Sequence, residues 1–527
     1  MNHMSQSIDP MASELARHLQ ALEAPGAPLH PTPTETLHVN HVGSGLYVAY
    51  EQLRNAAEYT EDHLLLRRAI ERFLHRVRAL RVQGTKQEIG TELITELTQS
   101  GYIKNDAVPL SSISQIDQSL QWYVAYYWHL RTIGKVPIEN AMRWITQIAS
   151  TDVERQLHPR PKEEVFLAFA HSHFLHALQQ VDYPEFKDEW TYDMALYTVV
   201  HQTLLKSDLA TTRYWFLHKS GKSLDQLDEF IRLNELVEEL YKGEQTIKLS
   251  RIVRRYCPTF RILIGIIAQT PHSASAINDR SQLLSLADIE IARAYRSTRK
   301  RLRSALIRSV VFVFITKTII GLSLEVPYDL ATVHSVAILP LMFNLLFPPA
   351  YMALVGFSIS TPDAHNVKAI KNHIDRIFYQ PGQTPITYTV RRQETSPAIR
   401  RVFSAIYIIM FGLSFGLLVG ALARIGFNIV QGLVFFVFLS TVSFLGLKLV
   451  RTAHEFELLD QRSRLVDIIS SFLMTPFVRA GQWITDKYSR VNLVTFLLDI
   501  AIEVPLKTSL RLVQQWTGFL RDKRDEL

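Results

Sequence analysis

Lys317 stands inside the apolar run VVFVFITKTIIGLSL, where a charge is costly and therefore chemically pointed. An ammonium at the centre of a spanning helix costs roughly 2.5–3.5 kcal/mol, so it is expected to meet a counter-charge, an anion or protein carbonyls. Lys317 is thus a candidate proton- or anion-binding group. The competing reading is structural: the side chain snorkels, or packs against carbonyls beside Thr316 and Thr318. Asn344, in the next apolar run, is the polar residue whose depth matches, and the two make a candidate intramembrane polar site. Glu325 and Asp329 read as the connection between the runs, too far out to reach that site without a helix displacement.

Other chemistry-bearing residues are sparse. His171, His173 and His176 share one segment, but residues two apart lie about 200° apart on a helix, which is not metal-ligand spacing. His158, His201 and His218 are scattered. Cys257 is the single cysteine, which excludes an intrachain disulfide. No phosphate-binding glycine loop, GxSxG elbow, HExxH or CxxC occurs, so neither a catalytic set nor a cofactor is expected, and an enzyme is disfavoured. Arg68, Arg72 and Arg76 fall on one helical face; a solvated surface is preferred there to a nucleic-acid contact.

Two hydrophobic hairpins, Ser309 to Phe357 and Phe403 to Val450, dominate the rest. Each holds two stretches near the roughly 20 residues that a helix needs to cross the hydrocarbon. The predicted fold is all-α: a polytopic helical membrane protein with a large N-terminal cytosolic helical domain and an amphipathic helical C-terminal region. Pro340, Pro348 and Pro349 are expected to break span two, and Pro327 to follow the end of span one. Gly412, Gly416 and Gly420, four apart in span three, form a stripe suited to close helix packing, against span four or a second copy.

Charge sets the orientation. Arg296, Arg299, Lys300, Arg301 and Arg303 precede span one as a lipid-facing basic segment; Lys368 to Arg401 and Lys448 with Arg451 supply further basic clusters. By the positive-inside bias these ends, and both termini, belong in the cytosol of a cell-membrane protein. The net charge of +7 is accounted for in the same way, without nucleic acid.

The expected divisions are a flexible tail (1–39, with a short helix at Met11–Leu22), a helical cytosolic domain (40–290), the basic juxtamembrane segment (291–308), the first hairpin (309–357), a cytosolic loop (358–402), the second hairpin (403–450), and a cytosolic or interfacial amphipathic region (451–527). Helical periodicity marks, among others, Ile113–Thr132, Ile138–Ala149, Thr191–Leu205 and Leu249–Ala268. Thr361 and Pro362 open a loop helix reaching about Phe378. Leu465–Ile484, with Asp467, Pro476 and Arg479, is too polar for a good span. The function expected is an anchor or scaffold presenting the helical domain to a protein partner on an anionic bilayer, with self-association possible through span three; the alternative is a small oligomeric transporter or channel.

Overall fold

The structure, a computed structural model, describes residues 8–24, 35–39, 45, 47–48, 51, 54, 62–79, 89–178, 186, 188–221, 226–332, 334–335, 338–358, 364–380, 397–458 and 465–490. Helix is the only regular structure among them, apart from an isolated bridge between Thr36 and Pro109. A short strand read at Ile386–Arg392 and an amphipathic helix read at Val491–Lys507 lie outside the described residues.

Local signals set the helix ends. Asp9 accepts from the Met11 N–H at 2.9 Å and Pro10 opens α1 (Pro10–Glu23), where a missing N–H costs nothing. The chain continues through α2 (Leu65–Ala79), α3 (Ile89–Gln99), α4 (Leu110–Ile133), α5 (Ile138–Leu157), α6 (Pro161–Ala177), α7 (Glu189–Leu204), α8 (Leu209–Ser220), α9 (Leu227–Lys242), α10 (Glu244–Gln269) and α11 (Ser273–Asn278). Asp188 and Asp208 cap α7 and α8 through the Thr191 and Thr211 N–H groups, at 2.7 and 3.1 Å. α4 stops at Gly134, whose φ of 69° suits a residue without Cβ.

One apolar core joins these helices, with Trp144, Phe166, Phe174, Phe230 and Phe260 enclosed in it. Each such side chain contributes about 1.5–3 kcal/mol by leaving water. α1 gives Ala12, Leu15, Ala16 and Leu19 to that core, so the helical domain begins well before residue 40. Arg72 pairs with Glu51 at 2.6 Å and Arg76 with Glu96, which commits two of the three arginines of the α2 stripe to carboxylates of the domain itself.

Asp279 accepts from the Ser281 and Gln282 N–H groups and starts α12 (Arg280–Ile320), 41 residues long. At 1.5 Å per residue it covers roughly 60 Å. Its buried residues form one face: Leu283, Ala287 and Ile291 in the domain core, then Leu302 and Val313 in a second cluster with Met352, Val442, Leu449 and Ala453. A π turn (Gly321–Glu325) leads into α13 (Val326–Thr332); α14 (Ile338–Ser358), α15 (Ala364–Tyr379), α16 (Pro397–Ile425), α17 (Ile429–Ala453) and α18 (Leu465–Arg490) follow. Among the described residues four helical stretches, within Arg280–Thr332, Ile338–Phe357, Arg401–Ile425 and Ile429–Ala453, are long and apolar enough to cross a membrane. They are spans one to four below.

Two sequence expectations are corrected here. Span one does not end before Glu325, because the helix runs on to Thr332. Span two is not broken: α14 is continuous through Pro348 and Pro349, whose missing N–H groups cost only the bonds to the Asn344 and Leu345 carbonyls.

The bundle and the helical domain are joined three times. α12 passes from one into the other. The loop helix α15 buries Ile370, Ile374, Ile377 and Phe378 in the domain core, its Phe378 carbonyl accepting from the Asp9 N–H at 2.9 Å. After span four, Glu455 pairs with Arg261 (2.6 Å) and Lys206 (2.9 Å). Asn366 of α15 ties all three connections: its Nδ2 donates to Tyr295 Oη and the Phe456 carbonyl, both at 2.7 Å, and its Oδ1 accepts from the Leu458 N–H at 2.7 Å.

Candidate functional site

Lys317 finds its counter-charge on its own helix. Its Nζ donates to Glu325 Oε1 at 2.8 Å, with the two side chains 1% and 0% exposed. An unbroken α-helix would place residues eight apart about 80° out of line. The Val326 N–H instead bonds to the Gly321 carbonyl, five residues back, and this π turn absorbs one extra residue. The pair then behaves as if seven steps apart, about 20° short of two full turns, and the side chains meet. The Phe438 ring of span four covers the ammonium, 4.7 Å from its centroid.

Spans two and four complete the arrangement. Asn344 Nδ2 donates to Glu325 Oε2 at 2.7 Å and also approaches the Gln431 carbonyl at 3.4 Å. Gln431 belongs to the capping box that starts α17: Asn428 Oδ1 accepts from its N–H at 2.8 Å, and its own Oε1 accepts from the Asn428 N–H at 3.2 Å. The remaining amide groups of both residues reach Asp329, Gln431 Nε2 at 2.8 Å and Asn428 Nδ2 at 2.7 Å. Six side chains, joined between Asn344 and Gln431 only through the Gln431 main-chain carbonyl, thus form one polar chain between three apolar helices, holding two carboxylates and one ammonium. No protein-family model, curated protein or solved structure matches this sequence.

Sequence reading singled out Lys317 and Asn344, and both lie in this chain. It placed Glu325 and Asp329 out of reach, which the π turn and the continued helix overturn, and it missed Asn428 and Gln431. The N-x-x-Q spacing at a helix start was the available signal for the last two.

The remaining candidates disperse. Arg296, Arg299, Lys300 and Arg303 line a shallow groove of about 430 Å³ with Ser304 and Ile307, at the end of the bundle nearest the helical domain. Arg301 is exposed beside it. A Cβ added at Gly412, Gly416 or Gly420 would meet no described atom within 4 Å, so this stripe does not face span four. Among the described residues, only 6% of span three's apolar stretch is buried, against 39% for span four. The close-packed glycines lie elsewhere: a Cβ built on Gly446 would stand 3.1 Å from Val355 Cγ1, and one built on Gly481 of α18 would strike the Ser440 carbonyl and Phe444. α18 also inserts Phe477 between Phe415 and Phe436 and sets Arg479 over the Tyr407 ring, so its described side chains pack on spans three and four.

In the helical domain His171 lies 3.0 Å from Asp193 Oδ1, outside hydrogen-bond alignment, while His173 sits among Phe169, Phe174 and Phe260. His176 is exposed and turned to the Ser172 carbonyl. Among the described residues no three metal-binding side chains converge. Cys257 is enclosed, and burial pushes its thiol up, away from the reactive thiolate.

Proposed function

We propose that this chain is a multi-pass, non-enzymatic protein of the cytoplasmic membrane that holds its helical domain at the cytosolic face as a docking platform for a protein partner. The supporting observation is the threefold attachment through α12, α15 and residues 454–458, stapled at Asn366. A tether would need one connection. Three remove the domain's rotational freedom before the partner arrives, and that ordering cost is then absent from binding. The basic clusters lie at the domain end of the spans while Glu325 and Asp329 lie toward the other, the distribution expected of a cytosolic domain. The groove at Arg296, Arg299, Lys300 and Arg303 suits anionic lipid headgroups.

The domain exposes apolar side chains at Trp122 (41%) and Ile138 (52%), convenient sites for a photo-crosslinker in native membranes. A single protein adduct in wild type is expected. Asn366→Ala removes three hydrogen bonds, costs about 1.5–4.5 kcal/mol at the junction, and should lower that yield while making residues 454–458 protease-sensitive. Lipid adducts alone from both sites would refute the platform.

Self-association belongs to the same proposal, through the uncovered face of span three. A Cβ at Gly416 points into space free of described atoms, so Gly416→Leu should leave monomer stability within about 0.5 kcal/mol while lowering crosslinked dimer yield. Gly446→Leu should do the reverse, since its new side chain strikes Val355. Equal dimer yields for Gly416→Leu and the exposed control Leu413→Ile would exclude span three as the contact. A second reading, a small oligomeric transporter, draws support from the buried polar chain; solute flux in proteoliposomes lost on Asn344→Ala would favour it.

A further inference from the structure

Glu325 takes no part in holding the helical domain, yet it is fully enclosed between two donors, Lys317 and Asn344. Its polar connections lead one way. Through Asn344, Gln431 and Asp329 they reach Asn428, at the end of the bundle away from the helical domain. In the other direction no hydrogen bond leads on from the pair among the described residues: Val313, Met352 and Val442 pack together one turn and more nearer the domain, Phe438 lies on the ammonium, and the buried Ser440 and Ser443 hydroxyls of span four bond to neither Lys317 nor Glu325. Asn344 Oδ1 is buried and has no hydrogen-bond partner among the described residues.

We propose that Glu325 is a proton-binding site reached from the domain-distal end of the bundle, with Lys317 as its fixed counter-charge. The step is a bare proton transfer: a hydronium ion from distal water gives its proton to a Glu325 carboxylate oxygen, one O–H bond forms, and water is released to the same side. Asn344 is suited to both forms. At 2.7 Å its Nδ2 donates to the ionised acid; turned by half a rotation, Oδ1 accepts from the protonated acid at a spacing ordinary for O–H···O. The titratable groups facing the site are Lys317 and, one helical turn further out, Asp329; spans two and four present the neutral Asn344, Gln431 and Phe438. One added proton brings the two carboxylates and one ammonium to formal neutrality, the arrangement that a low-dielectric interior favours. This holds whether or not the helical domain binds a partner.

Infrared difference spectra of the full-length protein between neutral and acid pH test it. Wild type is expected to gain a protonated-carboxyl C=O band that Glu325→Gln lacks. Because Glu325→Gln leaves Lys317 buried without its carboxylate, Lys317→Met/Glu325→Gln serves as the variant that folds without either charge, and it too should lose one carboxyl equivalent. In oriented proteoliposomes, acidifying the domain-distal side should produce the band and acidifying the domain side should not. Identical spectra for wild type and the double variant, or equal response from both sides, would overturn the proposal.

Discussion

Replacing Lys317 alone with methionine is expected to destabilise the bundle by about 3–5 kcal/mol, because Glu325 would remain buried with its charge uncompensated. The double change Lys317→Met/Glu325→Gln should return most of that loss, to within about 1 kcal/mol of wild type. The asymmetry follows from the burial of both partners, 1% and 0% exposed, which makes desolvation nearly cancel attraction when both are present and dominate when one is absent. In the double variant the introduced glutamine carbonyl would still accept from Asn344 Nδ2, and the introduced methionine would keep apolar contact with Phe438. Unfolding of the purified protein by denaturant at neutral pH gives the values needed for a double-mutant cycle once Glu325→Gln is included. A single substitution as mild as the double one would mean that Glu325 is not held buried and charged in that variant; if its infrared spectrum then shows no protonated carboxyl at neutral pH, water reaches the pair and the enclosed polar chain would have to be abandoned.

The parts of this architecture legible in sequence are those whose cause is local. Ile138–Ala149 and Thr191–Leu205 appear as Ile138–Leu157 and Glu189–Leu204 because apolar residues at helical spacing among charges carry the signal themselves. The loop helix read to about Phe378 appears as Ala364–Tyr379. That its Ile370, Ile374 and Phe378 enter the domain core is a tertiary fact, since the same amphipathic pattern suits a membrane surface equally well. Pro327 read as a stop because it lacks an N–H, but it lies just past the π turn, where the hydrogen-bond ladder is already shifted. Lys317 announced that a counter-charge was needed. No periodicity rule for an α-helix selects Glu325 as that charge, because the eight-residue spacing comes into line only through a π turn that has no sequence signature.

Acidification is expected to unfold the helical domain well before its carboxylates are all protonated, and three buried histidines are the reason. Burial lowers His173 to about 4, and His201 and His373 to about 3, so all three are neutral in the folded domain at neutral pH. In the unfolded chain they titrate near 6.5. Between about 6.5 and the folded values the unfolded state therefore binds more protons; stability is complete above that window and is lost as pH falls through it, by about 1.4 kcal/mol per unit for each histidine. Burial raises Asp152 and Glu154, whose effect has the opposite sign and flattens the slope without reversing it. His373, bonded to Thr259 Oγ1 at 2.8 Å and close to His173, holds α15 in the core, so the acid transition should release the bundle's loop helix as the domain opens. His201 separates this cause from general acid denaturation. It lies in tilted ring contact between Tyr197 and Trp215, both ring nitrogens lack hydrogen-bond partners among the described residues, and phenylalanine conserves the aromatic contact without a proton site. His201→Phe should raise stability at neutral pH by about 1–3 kcal/mol, the cost of a buried unsatisfied polar group, and move the acid midpoint downward. Urea unfolding of the full chain from pH 7.5 to 4, followed by tryptophan fluorescence, measures both. An acid slope unchanged in His201→Phe and in His173→Phe/His373→Phe would show that these imidazoles are hydrated and that the core around Phe260 is not closed.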